Sequence, residues 1–366
     1  MIRFAWLQFR TQALIALGAL GIVGIALAIT GGHLVHIYDT QVSTCGVHGN
    51  CIDARNSFLQ IDASLQKWLN VLVMAVPGII GIFWGAPMVA REMEAGTFRL
   101  AWTQTVSRAR WVGAKLGLVV LFAIFVSGLL SFMVTWWSSP LDHVRADQFG
   151  AFDVRDIVPI GYGAFAFVLG VAAGVLIRRT LPAMASTLVG FVFVRLAFVN
   201  WVRPHLVSPA TKSVSLNTID NGWGYISTVS GNVASQANLV PPAPNITNAW
   251  VYSTSIVDRS GHLLSPQDVK NACPALGMGP PGGGPPQLGG SGSILGHSSR
   301  VQAAPPGAVS NLHDCIAKVS TTFHEVITYQ PAVRFWDFQW IELAIYLAAA
   351  GALAGLCIWW VRRRIT

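Results

Sequence analysis

Charged side chains are scarce in this sequence: only 11% of its 366 residues are Asp, Glu, Lys or Arg. A soluble domain averages about 25% charged residues, so the composition favours an integral membrane protein. A hydrophobic share of 53%, with 14 tryptophans, agrees with that class. The net charge of +8 would suit nucleic acid, but the basic residues flank apolar segments and do not alternate with aromatic ones. We therefore expect a lipid bilayer, and no nucleic acid, as a partner.

The sequence also lacks motifs for ATP binding and catalysis. The phosphate-binding pattern G-x-x-x-x-G-K-[ST] occurs nowhere, and the Gly-rich run LGGSGS at 288–293 has no lysine. His324-Glu325 begins like a zinc-protease motif, but Thr328 stands where the second histidine is needed. We therefore expect no enzyme activity, no cofactor and no metal on this chain. ATP chemistry would need a separate polypeptide.

Long apolar runs take the place of the missing charge. A membrane-spanning helix needs about 20 apolar residues, because the hydrocarbon core is about 30 Å thick and each residue rises about 1.5 Å. Backbone amides in lipid must be bonded within the segment, so such runs are expected to be helices. Six segments meet this requirement: Leu14–Gly32, Trp68–Val89, Leu116–Trp137, Ile157–Ile177, Leu181–Trp201 and Leu343–Val361. The sequence thus predicts an all-α polytopic membrane protein.

Basic residues predict the orientation of these helices. Cytoplasmic loops carry an excess of Lys and Arg, so both termini are expected in the cytoplasm of a multi-pass cell-membrane protein. Residues 1–12 mix aromatic and basic side chains and predict a short amphipathic helix in the interface. The basic residues that define the cytoplasmic side are Arg3, Arg10, Arg91, Arg99, Arg108, Arg110, Lys115, Arg178, Arg179 and Arg362 to Arg364.

The chain divides at its polar segments. Residues 13–202 are expected to hold helices one to five with a cytoplasmic loop at 90–111, and residues 339–366 the sixth helix and a basic tail. Between them, residues 203–338 are long enough for a separate extracytoplasmic domain.

Three local patterns lie within that domain. The run AWVYSTSIVDRSGHLL at 249–264 predicts a strand, a turn and a second strand. Residues 274–309 are rich in Gly, Pro and Ser and predict a flexible loop. Apolar residues at helical spacing then predict a helix that returns the chain to the membrane. These residues are Leu312, Ile316, Val319, Phe323 and Val326.

Cysteine is rare, and four of the five cysteines fall on the expected outer side. Cys45 and Cys51 lie in the first outer loop, Cys273 and Cys315 in the last, and Cys357 within a span. Two pairs in an oxidising compartment predict the disulfides Cys45–Cys51 and Cys273–Cys315. Free thiols are the alternative.

Arg195 is the one charge inside a predicted span. A charge in the hydrocarbon core is unfavourable, so such a residue is a candidate functional site. Arg195 lies towards the outer end of the fifth segment, where it could snorkel to the interface or contact cargo. It could also form an intramembrane charge pair with Glu342 at the outer end of the sixth segment. We expect snorkelling or pairing in preference to a contact with cargo.

A compact charged segment follows the second span. Gly96 interrupts the helix there, and Thr97 can cap a short amphipathic helix with Phe98 and Trp102 on one face. The basic residues could serve only to fix topology, which is the usual role of such charges. That role leaves the two glutamates, the Gly-Thr break and the two tryptophans of the segment unexplained.

This segment, AREMEAGTFRLAWTQTVSRARWVGAKL at 90–116, resembles the first cytoplasmic loop of ABC-2-type transporter permeases of actinobacterial type. The closing run YQPAVRFWDFQWIELAIYLAAAGALAGLCIWWVRRR at 329–364 resembles that group as well. The resemblance implies the membrane-spanning permease subunit of an ATP-driven exporter, paired with a second or related permease. ATP and Mg would be bound by a separate ABC ATPase subunit. Seven residues would couple the two subunits: Arg91, Glu92, Glu94, Gly96, Thr97, Arg99 and Trp102.

Two other functions are compatible with the same architecture. A non-transporting membrane sensor would bind a ligand on the outer domain and signal through the cytoplasmic loop. A secondary transporter would work without an ATPase, but the sequence shows neither an inverted repeat nor an acidic residue at mid-membrane.

Overall fold

The computed structural model describes residues 2–43, 45, 51–94, 108–216, 224–230, 233–240, 246–272 and 317–364. The chain forms two compact units. The first comprises Met1–Ser208 together with Ala332–Thr366, and the second comprises Pro209–Pro331.

The first unit is helical, as its apolar composition requires. Three of its helices, which end at Ile37, Ile80 and Ala197, continue directly into a π-helical turn. These turns are Tyr38–Val42, Gly81–Gly85 and Phe198–Val202. Numbered in chain order, the helices of both units are α1 Ile2–Ile37, α2 Cys51–Ile61, α3 Ala63–Ile80, α4 Ala86–Glu94, α5 Arg108–Arg145, α6 Val158–Ile177, α7 Thr180–Ala197, α8 Pro266–Ala272 and α9 Phe335–Arg364.

The predicted membrane-spanning helices are confirmed. Among the described residues, six helical segments are long and apolar enough to cross a bilayer. In chain order, spans 1 to 6 are Phe9–Val42, Ala63–Glu94, Gly113–Arg145, Val158–Ile177, Thr180–His205 and Ala332–Val361. Helix α1 begins at Ile2, so residues 2–12, where the sequence predicts an interfacial helix, continue directly into span 1.

Span 4 is the centre of the helical unit. In its apolar stretch 72% of the residues are buried, against 17–44% in the apolar stretches of the other spans. Helix α6 packs against α3, α4, α5, α7 and α9. Because α6 is apolar on all sides, it is suited to a position surrounded by other helices.

The second unit contains β-structure. Strand β5 is central in an antiparallel sheet of order β1-β5-β4, and β2 pairs with β3 in a separate antiparallel hairpin. Glu325 on β5 stands opposite Val214 on one neighbour and Ile256 on the other. The strands are β1 Ala210–Ser215, β2 Gly224–Ser230, β3 Val233–Val240, β4 Trp250–Asp258 and β5 Phe323–Gln330.

Two local predictions in this unit are wrong. Residues 317–320 form a short helical turn, but Phe323 and Val326 belong to strand β5 and not to a helix. The β-branched and aromatic residues of FHEVITYQ fit a pleated sheet once β1 and β4 pair with it on either side. The predicted first strand and turn exist as β4 and the Asp258 turn, but the second strand is reduced to the bridge Val257–Leu263.

Candidate functional site

A cluster of buried charges lies where spans 4, 5 and 6 meet the connection between spans 3 and 4. Glu342 of span 6, which is fully buried, is at its centre. Arg203 of span 5 donates to Glu342 from Nε at 3.0 Å and from Nη2 at 2.9 Å. Tyr162 of span 4 donates to Glu342 Oε1 at 2.5 Å. Arg195 Nη1 lies 3.4 Å from the same oxygen. One carboxylate thus joins three spans.

Asp153 is the second acid of this cluster. It lies in the 3₁₀ turn Phe149–Val154, and Arg195 Nη2 donates to its Oδ1 at 3.0 Å. Arg203 also donates to this carboxylate, and the Tyr162 hydroxyl oxygen lies 3.1 Å from its Oδ1. Burial alone would raise the pKa of Asp153, but hydrogen bonds and positive charge from Arg203 and then Arg195 lower it to about 2.

The two arginines are also held over aromatic rings. The guanidinium carbon of Arg195 lies 3.7 Å from the centre of the Tyr162 ring, and that of Arg203 lies 4.6 Å from the Phe152 ring. Both distances are within the range of cation–π attraction. With two arginines and two carboxylates, the cluster is balanced in charge, as buried ionic groups need to be. We call Asp153, Tyr162, Arg195, Arg203 and Glu342 the span 4–6 cluster.

The connection between spans 3 and 4 is fastened by a second set of polar contacts. Arg155 is buried and donates to the Val134 carbonyl oxygen at 2.9 Å, to Ser138 Oγ and to Asp142 Oδ1 at 3.3 Å. Burial lowers the pKa of Arg155, and the negative charge of Asp142 opposes that shift. Gln339 of span 6 accepts from the Val158 amide at 3.0 Å, at the start of span 4. The connection is therefore anchored to spans 3 and 6.

A second site lies at the base of the charged segment predicted to couple to a partner. Glu92 Oε1 is 2.6 Å from Lys115 Nζ, which lies on the far side of that segment. Glu94 Oε2 accepts from the backbone amide of Thr180 at 3.1 Å and from its hydroxyl at 2.6 Å. Thr180 begins span 5, so α4 is connected to spans 3 and 5. Arg91, on the same helix, has an exposed side chain.

The other predicted coupling residues, Gly96, Thr97, Arg99 and Trp102, lie outside the described residues. So do Cys273, Cys315 and the Gly/Pro-rich stretch 274–309. The sulfur atoms of Cys45 and Cys51 are adjacent, and their Cα atoms are 5.5 Å apart, a separation that a disulfide spans. Their covalent bond stays a prediction. Cys357 is buried.

The sequence indicated only part of the span 4–6 cluster. It named Arg195 and Glu342, and the structure brings these two side chains together. It missed Arg203, which follows the apolar run of span 5, and Asp153 and Tyr162. The available signal was FDVRD at 152–156, three charges placed directly before a span.

The family of the chain follows from a comparison with known proteins. The profile described as "ABC-2 membrane transporter related" matches residues 17–203. That range is 187 of 366 residues and includes spans 2 to 4, most of spans 1 and 5, the α4 contacts and four members of the span 4–6 cluster. The chain belongs to the ABC-2 membrane transporter related family. It is therefore a multi-pass membrane protein and an ABC-2-type permease. No curated protein and no solved structure matches the chain.

Proposed function

We propose that this ABC-2 permease is the membrane-spanning subunit of an ATP-driven exporter, and that ATP is hydrolysed by a separate ABC ATPase subunit. The family match to residues 17–203 is the observation that carries this proposal. The sequence supports the division of labour, because it has six apolar spans and no phosphate-binding loop. Export as the direction of transport comes from the resemblance of the sequence to actinobacterial permeases.

The proposed topology places both termini and the charged segment in the cytoplasm. Arg91, Lys115 and the Arg178–Arg179 pair lie at helix ends that the contacts of Glu92 and Glu94 bring together. A concentration of basic residues at one end of the bundle favours that end as the cytoplasmic one. Because the six spans alternate in direction, the 209–331 unit would then lie on the extracytoplasmic side.

In the proposed cycle, the segment 95–107 contacts the ATPase subunit. Closure of the ATPases around ATP would displace this segment and shift the spans between inward-facing and outward-facing states. Such a shift requires ATP-bound ATPases to bind one state more tightly than the other. Two permease chains, identical or related, would enclose the path.

The span 4–6 cluster has a defined part in this proposal. Ionic contacts among buried groups join spans 4, 5 and 6 to the 3–4 connection. Removing one partner would leave a buried charge uncompensated, at a cost of about 3–5 kcal/mol. We therefore assign the cluster the role of holding the ends of these spans together while the rest of the bundle changes shape. The cargo would not need to contact it.

Affinity purification from the native membrane in a gentle detergent tests the proposal. We expect a P-loop ATPase to co-purify in stoichiometric amount with the tagged permease. Arg99→Ala/Trp102→Ala should deplete the ATPase, whereas the matched control Asp337→Asn, at an exposed acid of α9, should retain it. If the wild-type chain brings no ATPase under conditions that preserve other ABC complexes, the exporter proposal is wrong. The membrane sensor would then be the better hypothesis.

A further inference from the structure

Two acids on helix α4, which precedes segment 95–107, contact other helices of the bundle. Glu92 reaches forward to Lys115, which follows the segment, with 2.6 Å between Oε1 and Nζ. Glu94 is the last residue of α4. Its carboxylate accepts hydrogen bonds from the backbone amide and from the hydroxyl of Thr180. Helix α4, which precedes segment 95–107, is therefore connected to spans 3 and 5.

Glu94 caps the N-terminus of span 5, because it accepts a hydrogen bond from the Thr180 amide. The first amides of a helix have no partner within it, and a negative charge near them is favoured by the helix dipole. Arg179, which precedes α7, supplies no side-chain cap of its own. Glu94 takes that place from another helix, since it accepts the Thr180 amide. The end of α4 and the beginning of α7 are thus connected by hydrogen bonds.

Close packing supports this connection beneath the surface. Ala86 and Ala90 of α4 and Ala183 of α7 are fully buried in one cluster. Gly174 of α6 allows the backbone of α4 to approach closely, because an added Cβ would lie 2.6 Å from the Ala86 carbonyl oxygen. Close-packed interfaces have low compressibility and transmit displacement. Helix α4 is therefore packed against α6 and α7, and the Glu94–Thr180 contact lies at the end of this interface.

We infer that Glu94 and Thr180 are positioning residues that pass the movement of segment 95–107 to the first turn of span 5. This inference rests on the proposed function. It goes beyond what the family resemblance implies, namely that Glu92 and Glu94 are among the residues that couple the permease to the ATPase. The carboxylates of both also contact the permease's own helices.

Hydrogen–deuterium exchange of the intact permease–ATPase complex tests this inference, measured with and without ADP and vanadate. Peptides from 95–107 report on the segment, and peptides from 180–190 report on the first turns of α7. The variants are Glu94→Ala, Thr180→Val and the conservative Thr180→Ser. Ser186→Ala is the matched control, because the Ser186 hydroxyl on the same helix donates to the Ala183 carbonyl oxygen within α7.

In the wild-type complex, we expect nucleotide to change exchange in both regions. In Glu94→Ala, the ATPase should remain bound and 95–107 should still respond. The response of 180–190 should fall about fivefold or more, the lower end of usual coupling between sites. Thr180→Val, which keeps the amide contact, should lose part of the response, and Thr180→Ser and Ser186→Ala should behave as the wild type.

Three results would overturn the inference. An undiminished response of 180–190 in both Glu94→Ala and Thr180→Val would show that these side chains do not carry the movement. Loss of the ATPase from Glu94→Ala, with the wild-type complex intact, would make Glu94 a docking residue and leave the proposed function standing. A wild-type chain without any ATPase would overturn the proposed function and the inference together.

Discussion

Glu342 offers the sharpest test of the span 4–6 cluster. The variant Glu342→Leu removes a fully buried carboxylate that accepts hydrogen bonds from Tyr162 and from Arg203. Asp153 would then be the only carboxylate of the cluster facing both arginines. Loss of one partner from a buried ionic group costs about 3–5 kcal/mol, whereas an exposed substitution changes stability by about 0.5 kcal/mol or less.

The assay is the midpoint of heat-induced loss of the monodisperse protein in detergent. Glu342→Leu should lower this midpoint clearly, and Asp337→Asn, at an exposed acid of the same helix, should leave it near the wild-type value. The double variant Glu342→Leu/Arg203→Met leaves Arg195 with Asp153, one charge of each sign. Its loss of unfolding free energy should be smaller, by about 0.5–3 kcal/mol, than the sum of the losses in Glu342→Leu and Arg203→Met. Equal midpoints for Glu342→Leu and Asp337→Asn would refute the reasoning.

Three further predictions follow from other contacts. The pKa of Asp153 is about 2 in the folded protein and about 3.9 in an unfolded chain, so its stabilisation is present above about pH 4 and lost as the pH falls towards 2. Asp153→Asn should lower the thermal midpoint at pH 7 and reduce its fall between those pH values; an unchanged pH profile would contradict this. Gly174→Val should destabilise the protein by about 1–3 kcal/mol through overpacking against Ala86. Gly351→Val, where nothing lies within 4 Å of the added Cβ, should have little effect, and equal midpoints for both would argue against a tight α4–α6 contact. Peptide mapping without reductant should recover Cys45 linked to Cys51 and Cys273 linked to Cys315, and free thiols at all four would exclude both disulfides.

The spans could be predicted from the sequence because the bilayer sets their length. Each predicted segment coincides with a helix to within one residue or lies inside a longer one, as Leu116–Trp137 lies inside Gly113–Arg145. The helices are longer than the apolar runs because polar residues at the helix ends, such as Ser138 and Asp142, form hydrogen bonds with one another. Length and hydropathy carry no information about those contacts.

Partners across the bundle were harder to predict. Arg195 and Glu342 were named together because both were expected near the same end of neighbouring spans. The run FDVRD places Asp153 directly before span 4, but its partner within the bundle depends on how the 3–4 connection folds against Arg203. Likewise, Phe323 and Val326 have helical spacing, but strand β5 is selected by pairing with β1 and β4, which lie far away in the sequence.

The coupling residues were predicted by resemblance, which identifies positions but not their contacts. Glu94 is predicted to couple to the partner, and the structure adds a hydrogen bond from the Thr180 hydroxyl to its exposed carboxylate. In the sequence, the turn Arg178-Arg179-Thr180 indicates only the topology of the spans. Its contact with α4 required the three-dimensional arrangement of spans 2, 4 and 5.

We propose that the segment after span 2 docks the ATPase subunit. Photocrosslinking in the native membrane tests this docking, with a benzophenone amino acid in place of Trp102. We expect a crosslink from position 102 to a P-loop ATPase, and none to that ATPase from the matched position Trp340, which lies exposed on span 6. If position 102 crosslinks only to lipid or to proteins without a P-loop while the chain is intact in the membrane, the coupling role of the segment is contradicted.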